Sequence, residues 1–143
     1  AQLQEIAGVL AQRFGRSEHD LVYQSRSGPP QVPWLEPDIC EHLRTLVGKA
    51  QDVVVVPLGF VSDHMEVVWD LDYEAQAAAR ALGLTLHRAG TVGEHASFVG
   101  MIRELIEERL GRIGTRRTCG SAPRPDSCAP GCCAYAPSRP TRS

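Results

Sequence analysis

Apolar positions along this chain switch repeatedly between helical and extended spacing. Leu3, Ile6, Ala7, Leu10 and Phe14 form one stripe and predict a helix over residues 1–14, stopped by Gly15. Residues 20–26 read as extended around Leu21, Val22 and Tyr23, and Gly28, Pro29 and Pro30 end that segment. A loop over 27–36 carries Trp34 between Pro33 and Leu35. Ile39, Leu43, Leu46 and Val47 predict a helix over 38–47, with Pro37 tolerated in its first turn. The unbroken run Val53, Val54, Val55, Val56 predicts a strand covered on both faces. A long helical segment follows to Leu82, where Gly83 caps it. Residues 84–88 predict another strand, and Phe98, Met101, Ile102, Leu105, Ile106 and Leu110 predict a helix over 94–110.

This alternation indicates an α/β fold, a three-layer open parallel sheet with helices on both faces. From about Gly114 the composition turns to Pro, Gly, Ser, Arg and Cys, a tail without a core of its own. The expected division is an α/β domain over 1–112 and an irregular Cys-rich tail over 113–143.

The net charge of −2 gives no argument for nucleic acid, and the arginines near the C-terminus are only a local basic bias. No apolar run approaches the ~18 residues of a transmembrane helix, and no secretory leader is expected, so a cytoplasmic location is expected. Four of the five cysteines, Cys119, Cys128, Cys132 and Cys133, crowd the tail. In a reducing compartment such clustering favours a metal site over disulfides. Cys40 reads as a packing residue on a helix face.

In open α/β sheets ligands bind beyond the carboxyl ends of the strands. Two segments fall there. The first is the loop Gln24, Ser25, Arg26, Ser27, Gly28, Pro29 with Trp34, which offers an aromatic wall and a backbone-rich lip for a large flat ligand. The second is Ser62, Asp63, His64, Met65, Glu66 and the helix after it. There Glu66, Asp70 and Glu74 stand at i, i+4 and i+8, one face of a regular α-helix, a spacing at which like charges repel. A helix N-terminus explains Asp63 and Glu66, with Ser62 or Asp63 as N-cap. It does not explain Asp70 and Glu74. Oxygen and imidazole groups together suit proton handling or a hard metal such as ferrous iron.

Three blocks resemble the C-terminal half of the ferrochelatase family. Tyr23-Gln24-Ser25-Arg26-Ser27-Gly28-Pro29 with Pro33-Trp34-Leu35 resembles its QSR-x-G-P…PWL loop. Pro57-Leu58-Gly59-Phe60-Val61-Ser62-Asp63-His64-Met65-Glu66 resembles its P-x-GF-x-SDH-x-E signature, and Asp70, Asp72 and Glu74 resemble the acidic continuation. The resemblance covers about residues 1–112. Near the last family helix the usual Asn and Pro are replaced by Glu94 and Ser97.

The resemblance implies insertion of ferrous iron into a porphyrin, coproporphyrin III or protoporphyrin IX, in haem biosynthesis. Glu66, with His64 and Asp63, would act at the reacting centre. Asp70 and Glu74 would form an acidic path for iron or protons. Ser25, Arg26, Gly28, Pro29 and Trp34 would wall the porphyrin cleft. In the family the acidic helix has wide π-type turns. The family chain is about twice as long, and its other principal catalytic group, a histidine, lies in the N-terminal half. The tail resembles the [2Fe-2S] extension of some members, actinobacterial ones nearest, with Cys128, Cys132 and Cys133 as three ligands and a fourth from the missing half. Alternative readings are a cobalt chelatase and a small iron–sulfur or metal-binding module.

Overall fold

The computed structural model describes residues 2–26, 28–29, 31–114 and 127–132. Its elements are α1 (Gln2–Arg13), α2 (Ile39–Thr45), β1 (Asp52–Val55), a long helix α3, β2 (Thr85–Arg88) and α4 (Ala96–Arg109). α3 is one helix in three windings: α over Met65–Val67, π over Val68–Ala75 and α again over Gln76–Ala81.

β1 and β2 pair in parallel, with Val53 opposite Leu86 and Val55 opposite Arg88. The crossover between them is α3. Its buried residues Val67, Leu71, Ala75 and Ala79 pack with Ile39 and Leu43 of α2 and with Leu84 and Leu86. Val53 and Val55 lean on this core, but Val54 is 69% exposed and Val56 is 44% exposed. The valine run is therefore covered on one face, where both were expected. Among the described residues no helix or strand packs on the other.

The extended segment over 20–26 forms no strand. A single parallel bridge joins Tyr23 to Asp38, closed by Tyr23 N–H to Pro37 C=O and Ile39 N–H to Tyr23 C=O, both at 2.9 Å. Ser25 has a φ of +61°, a left-handed turn that ends extension one residue after Gln24. The sheet among the described residues thus has two strands, not three, with its helices on one face.

The helix boundaries follow local chemistry. The Asp38 carboxylate accepts from Cys40 N–H at 2.8 Å and Glu41 N–H at 3.3 Å, so Asp38 is the N-cap of α2 and Pro37 lies outside its first turn. α3 ends in a Schellman turn, with Leu84 N–H on Ala79 C=O and Gly83 at φ +74°. No described helix is long and apolar enough to cross a membrane.

The winding of α3 matches its sequence. An α-helix turns about 100° per residue, so each four-residue step overshoots by about 40° and three steps drift by about 120°. Val67, Leu71, Ala75 and Ala79 nevertheless share one buried line. The wider π turns remove most of that drift. Three other rows run alongside: Met65, Trp69 and Tyr73 are exposed, Asp72 and Gln76 bond towards β2, and Glu66, Asp70 and Glu74 form the acidic edge.

Candidate active site

The sharpest feature lies where β1 leaves the sheet. The chain runs through Pro57, Leu58 and Gly59 and turns at Ser62–Asp63–His64 into α3. His64, not Ser62 or Asp63, is the N-cap, and its side chain makes no capping bond. Its ring sits edge-on against Phe60, with centroids 5.1 Å apart and planes at 77°. Phe60 packs on the core, so His64 is oriented from behind by an anchored aromatic ring.

The Asp63 carboxylate, freed from capping, accepts from Arg88 Nη1 at 2.6 Å. Arg88 also forks onto Asp72, Nε to Oδ1 at 2.9 Å and Nη2 to Oδ2 at 2.6 Å. That hydrogen bonding holds the Asp72 carboxyl below its ordinary pKa, against the opposing effect of burial, and raises that of Arg88. An open cleft of about 660 Å³ is lined by Asp63 and His64 on one side and by Thr91, Gly93, Glu94 and Phe98 on the other.

Ser25 meets the acidic helix directly, since its hydroxyl donates to Asp70 Oδ2 across 45 residues of sequence. The loop and the acidic row, two separate segments in sequence, are therefore in direct contact. Arg26 Nη2 donates to Val32 C=O at 2.8 Å and closes the loop on itself around Gly28, whose φ is +88°. Pro29 lies within the loop closed in this way. Trp34 and Arg26 line a second recess of about 200 Å³, with Tyr23, Gln24 and Glu41. Cys40 faces the far end of the row. Its thiol pKa is raised by burial first, then by the negative charges of Asp38, Glu74 and Asp70.

Among the described residues no three His, Cys, Asp or Glu side chains converge to hold one metal ion. Glu66, Asp70 and Glu74 thus form a row rather than a chelating cluster. Cys128 and Cys132 are exposed on a short turn closed by Cys132 N–H to Ala129 C=O at 3.1 Å, while Cys133 lies outside the described residues.

The ferrochelatase family model matches residues 1–110. The chain belongs to the ferrochelatase family. It is 49% identical over 140 residues to the coproporphyrin III ferrochelatase of Nocardia farcinica, covering 93% of this chain and 40% of the relative. It is 45% identical to a ferrochelatase of Rhodopirellula baltica, covering 97% and 40% of the two chains. A coproporphyrin III ferrochelatase of Mycobacterium avium is 46% identical, with 99% and 41% covered. The chain therefore spans about two fifths of the length of these curated ferrochelatases.

Sequence reasoning named most of the residues gathered here, quoted Phe60 only as part of the signature and without a role, and missed Arg88 and Gly93. For Arg88 a signal existed: it ends a strand beside the carboxyl end of its parallel neighbour, where sites of this architecture assemble.

Proposed function

We propose that this chain forms the C-terminal half of a ferrochelatase active site, which inserts ferrous iron into coproporphyrin III in haem biosynthesis. The hydrogen bond from Ser25 to Asp70 carries the reading, because it joins the loop suited to a flat macrocycle to the acids suited to iron and protons. The names of the Nocardia and Mycobacterium relatives favour coproporphyrin III over protoporphyrin IX as the substrate.

Metallation exchanges two pyrrole N–H protons for one ferrous ion, so charge balances when both protons leave as the metal enters. Glu66 stands in the first turn of α3, exposed and two residues after His64. It is the carboxylate that meets iron or takes up a proton at the reacting face, with His64 as its partner and Asp63 shaping the turn. Asp70 and Glu74 carry iron or protons along the row. Ser25, Arg26, Gly28, Pro29 and Trp34 wall the porphyrin. The N-terminal half found in full-length members supplies the opposite wall, the remaining catalytic histidine and the second cover of the sheet that completes three layers. The protein works in the cytoplasm.

Residues 113–143 make up the Pro-, Gly- and Cys-rich tail of the sequence. Cys128 and Cys132, exposed thiols flanking one turn, are suitable donors for an iron–sulfur cluster, with Cys133 as third ligand and a fourth thiolate from outside this chain. A [2Fe-2S] cluster bound there would supply a cross-link between the tail and the rest of the enzyme.

A chimera joining this chain to the upstream part of the Nocardia relative tests the assignment. Iron-dependent loss of porphyrin fluorescence is expected from the chimera and not from the 143-residue chain alone. Glu66→Gln should lower kcat by about a hundredfold or more with an unchanged melting temperature, since the side chain is exposed. Near-normal turnover in that variant would remove Glu66 from the chemistry.

A further inference from the structure

Resting on that reading, we propose that Arg88 is a positioning residue of the site, clamping Asp63 and Asp72 so that the segment between them presents His64, Glu66 and Asp70 in fixed register. Arg88 is the last residue of β2 and lies opposite Val55, at the carboxyl ends of both strands. Its side chain is only 14% exposed. From there one planar cation reaches both ends of the reacting segment, Asp63 at 2.6 Å before α3 and Asp72 by a two-bond fork within the π winding.

Two consequences follow from this geometry. The turn holding His64 has no side-chain cap of its own, so the Asp63 tether does the work that a cap would otherwise do. The clamp also divides the carboxylates of the site. Asp63 and Asp72 are committed to a guanidinium, which leaves the exposed Glu66 and Glu74, and Asp70 with its Ser25 hydrogen bond, as the acids of the row not paired with Arg88. A lysine could pair with one carboxylate but could not fork onto one while reaching the other.

Hydrogen exchange on the 143-residue chain tests the clamp without relying on activity. Arg88→Ala should speed amide exchange over residues 68–70, beginning with the Val68 N–H bonded to His64 C=O at 3.1 Å, by about tenfold or more while β1 and β2 stay protected. If the strands also lose protection, Asp63→Asn decides, because it cuts one arm and leaves the Asp72 fork in place. Unchanged exchange over 68–70 in Asp63→Asn overturns the clamp.

In the active chimera, Arg88→Ala should lower kcat by about tenfold to a hundredfold with little change in the porphyrin KM. Arg88→Lys should recover part of the loss. Adding Asp63→Asn to Arg88→Ala should cost much less than Asp63→Asn alone, since both remove the same contact. Full additivity, or a normal kcat in Arg88→Ala, overturns the positioning role. A chimera indifferent to Glu66→Gln would instead sink the functional reading and leave the exchange result to judge the clamp.

Discussion

The middle of the chain and its flanks use similar residues to opposite effect. Around α3, Leu43, Val67 and Leu71 are essentially sealed from water. In α4, no residue is buried, and Val99, Met101, Ile102, Leu105 and Ile106 face solvent although their spacing is that of a core helix. α1 buries only Ala11 and leaves Ile6 and Val9 exposed, with Phe14 exposed just beyond its end. Neither flanking helix packs on another named element among the described residues. Amphipathic pattern declares that a face is to be buried, but it does not say by what. The centre finds its partner across one strand–helix–strand crossover, while the flanking stripes and the outer face of β1 do not find theirs within these residues.

The largest effect should come from breaking that contrast with one substitution in each region. Leu71→Ala removes a side chain that is 1% exposed and should cost about 2–5 kcal/mol in denaturant unfolding of this chain. Leu105→Ala, at a position 52% exposed, should cost no more than about 0.5 kcal/mol. Equal costs would mean that α4 is packed in solution. In the chimera with an upstream half, a rise in the Leu105→Ala cost would identify that half as the missing cover.

The same contrast governs how much was legible in the sequence. Ile39 and Leu43, the valine run, the Gly83 stop and the helical spacing over residues 94–110 are local signals, and each element formed within a few residues of its signal. The third strand failed because Ser25 takes a left-handed φ, which a Ser-Arg-Ser sequence does not announce. The cover on both faces of β1 failed because a run of valines reports affinity for apolar surroundings, not the presence of a partner. In the site, Glu66, Asp70 and Glu74 were legible as a row. Their repulsion belongs to a regular helix; the π-type turns that the family resemblance implies are present over Val68–Ala75, and the four-residue repeat of Val67, Leu71, Ala75 and Ala79 is a second sign of them in the sequence. Arg88 could be placed at a strand end, but its pairing could not be read, because its partners lie 25 and 16 residues away and no local rule joins them.

Gly93 joins the two regions and sharpens the comparison at intermediate scale. A Cβ placed there would run into the Val61 carbonyl oxygen, so the loop into α4 passes the Ser62–His64 turn at backbone contact distance. Gly93→Ala should cost about 1–3 kcal/mol, because backbone rather than a flexible side chain must yield. Gly100→Ala, inside α4 with open space around it, should instead stabilise by up to about 1 kcal/mol through helix propensity. A neutral Gly93→Ala would show that the turn moves away freely, and the cleft between them would then lack a fixed wall.

The smallest effect concerns the edge of the centre, where Asp72 and Arg88 are partly open to water. Their side chains are 34% and 14% exposed, so the pair should contribute no more than about 1 kcal/mol at neutral pH. Its sign with pH is nevertheless fixed. The Arg88 hydrogen bonds lower the folded-state pKa of Asp72 below the ordinary 3.8. The stabilisation is therefore full above that ordinary value and is lost as pH falls through the depressed one. Asp72→Asn should lower the melting temperature at pH 7, and its gap to the parent should close in strong acid, below both values. Leu71→Ala titrates nothing, so its deficit should persist across the same range wherever the parent remains folded. A gap for Asp72→Asn that stayed constant down to strong acid would mean that Asp72 contributes through packing alone and that its fork with Arg88 carries no net stabilisation.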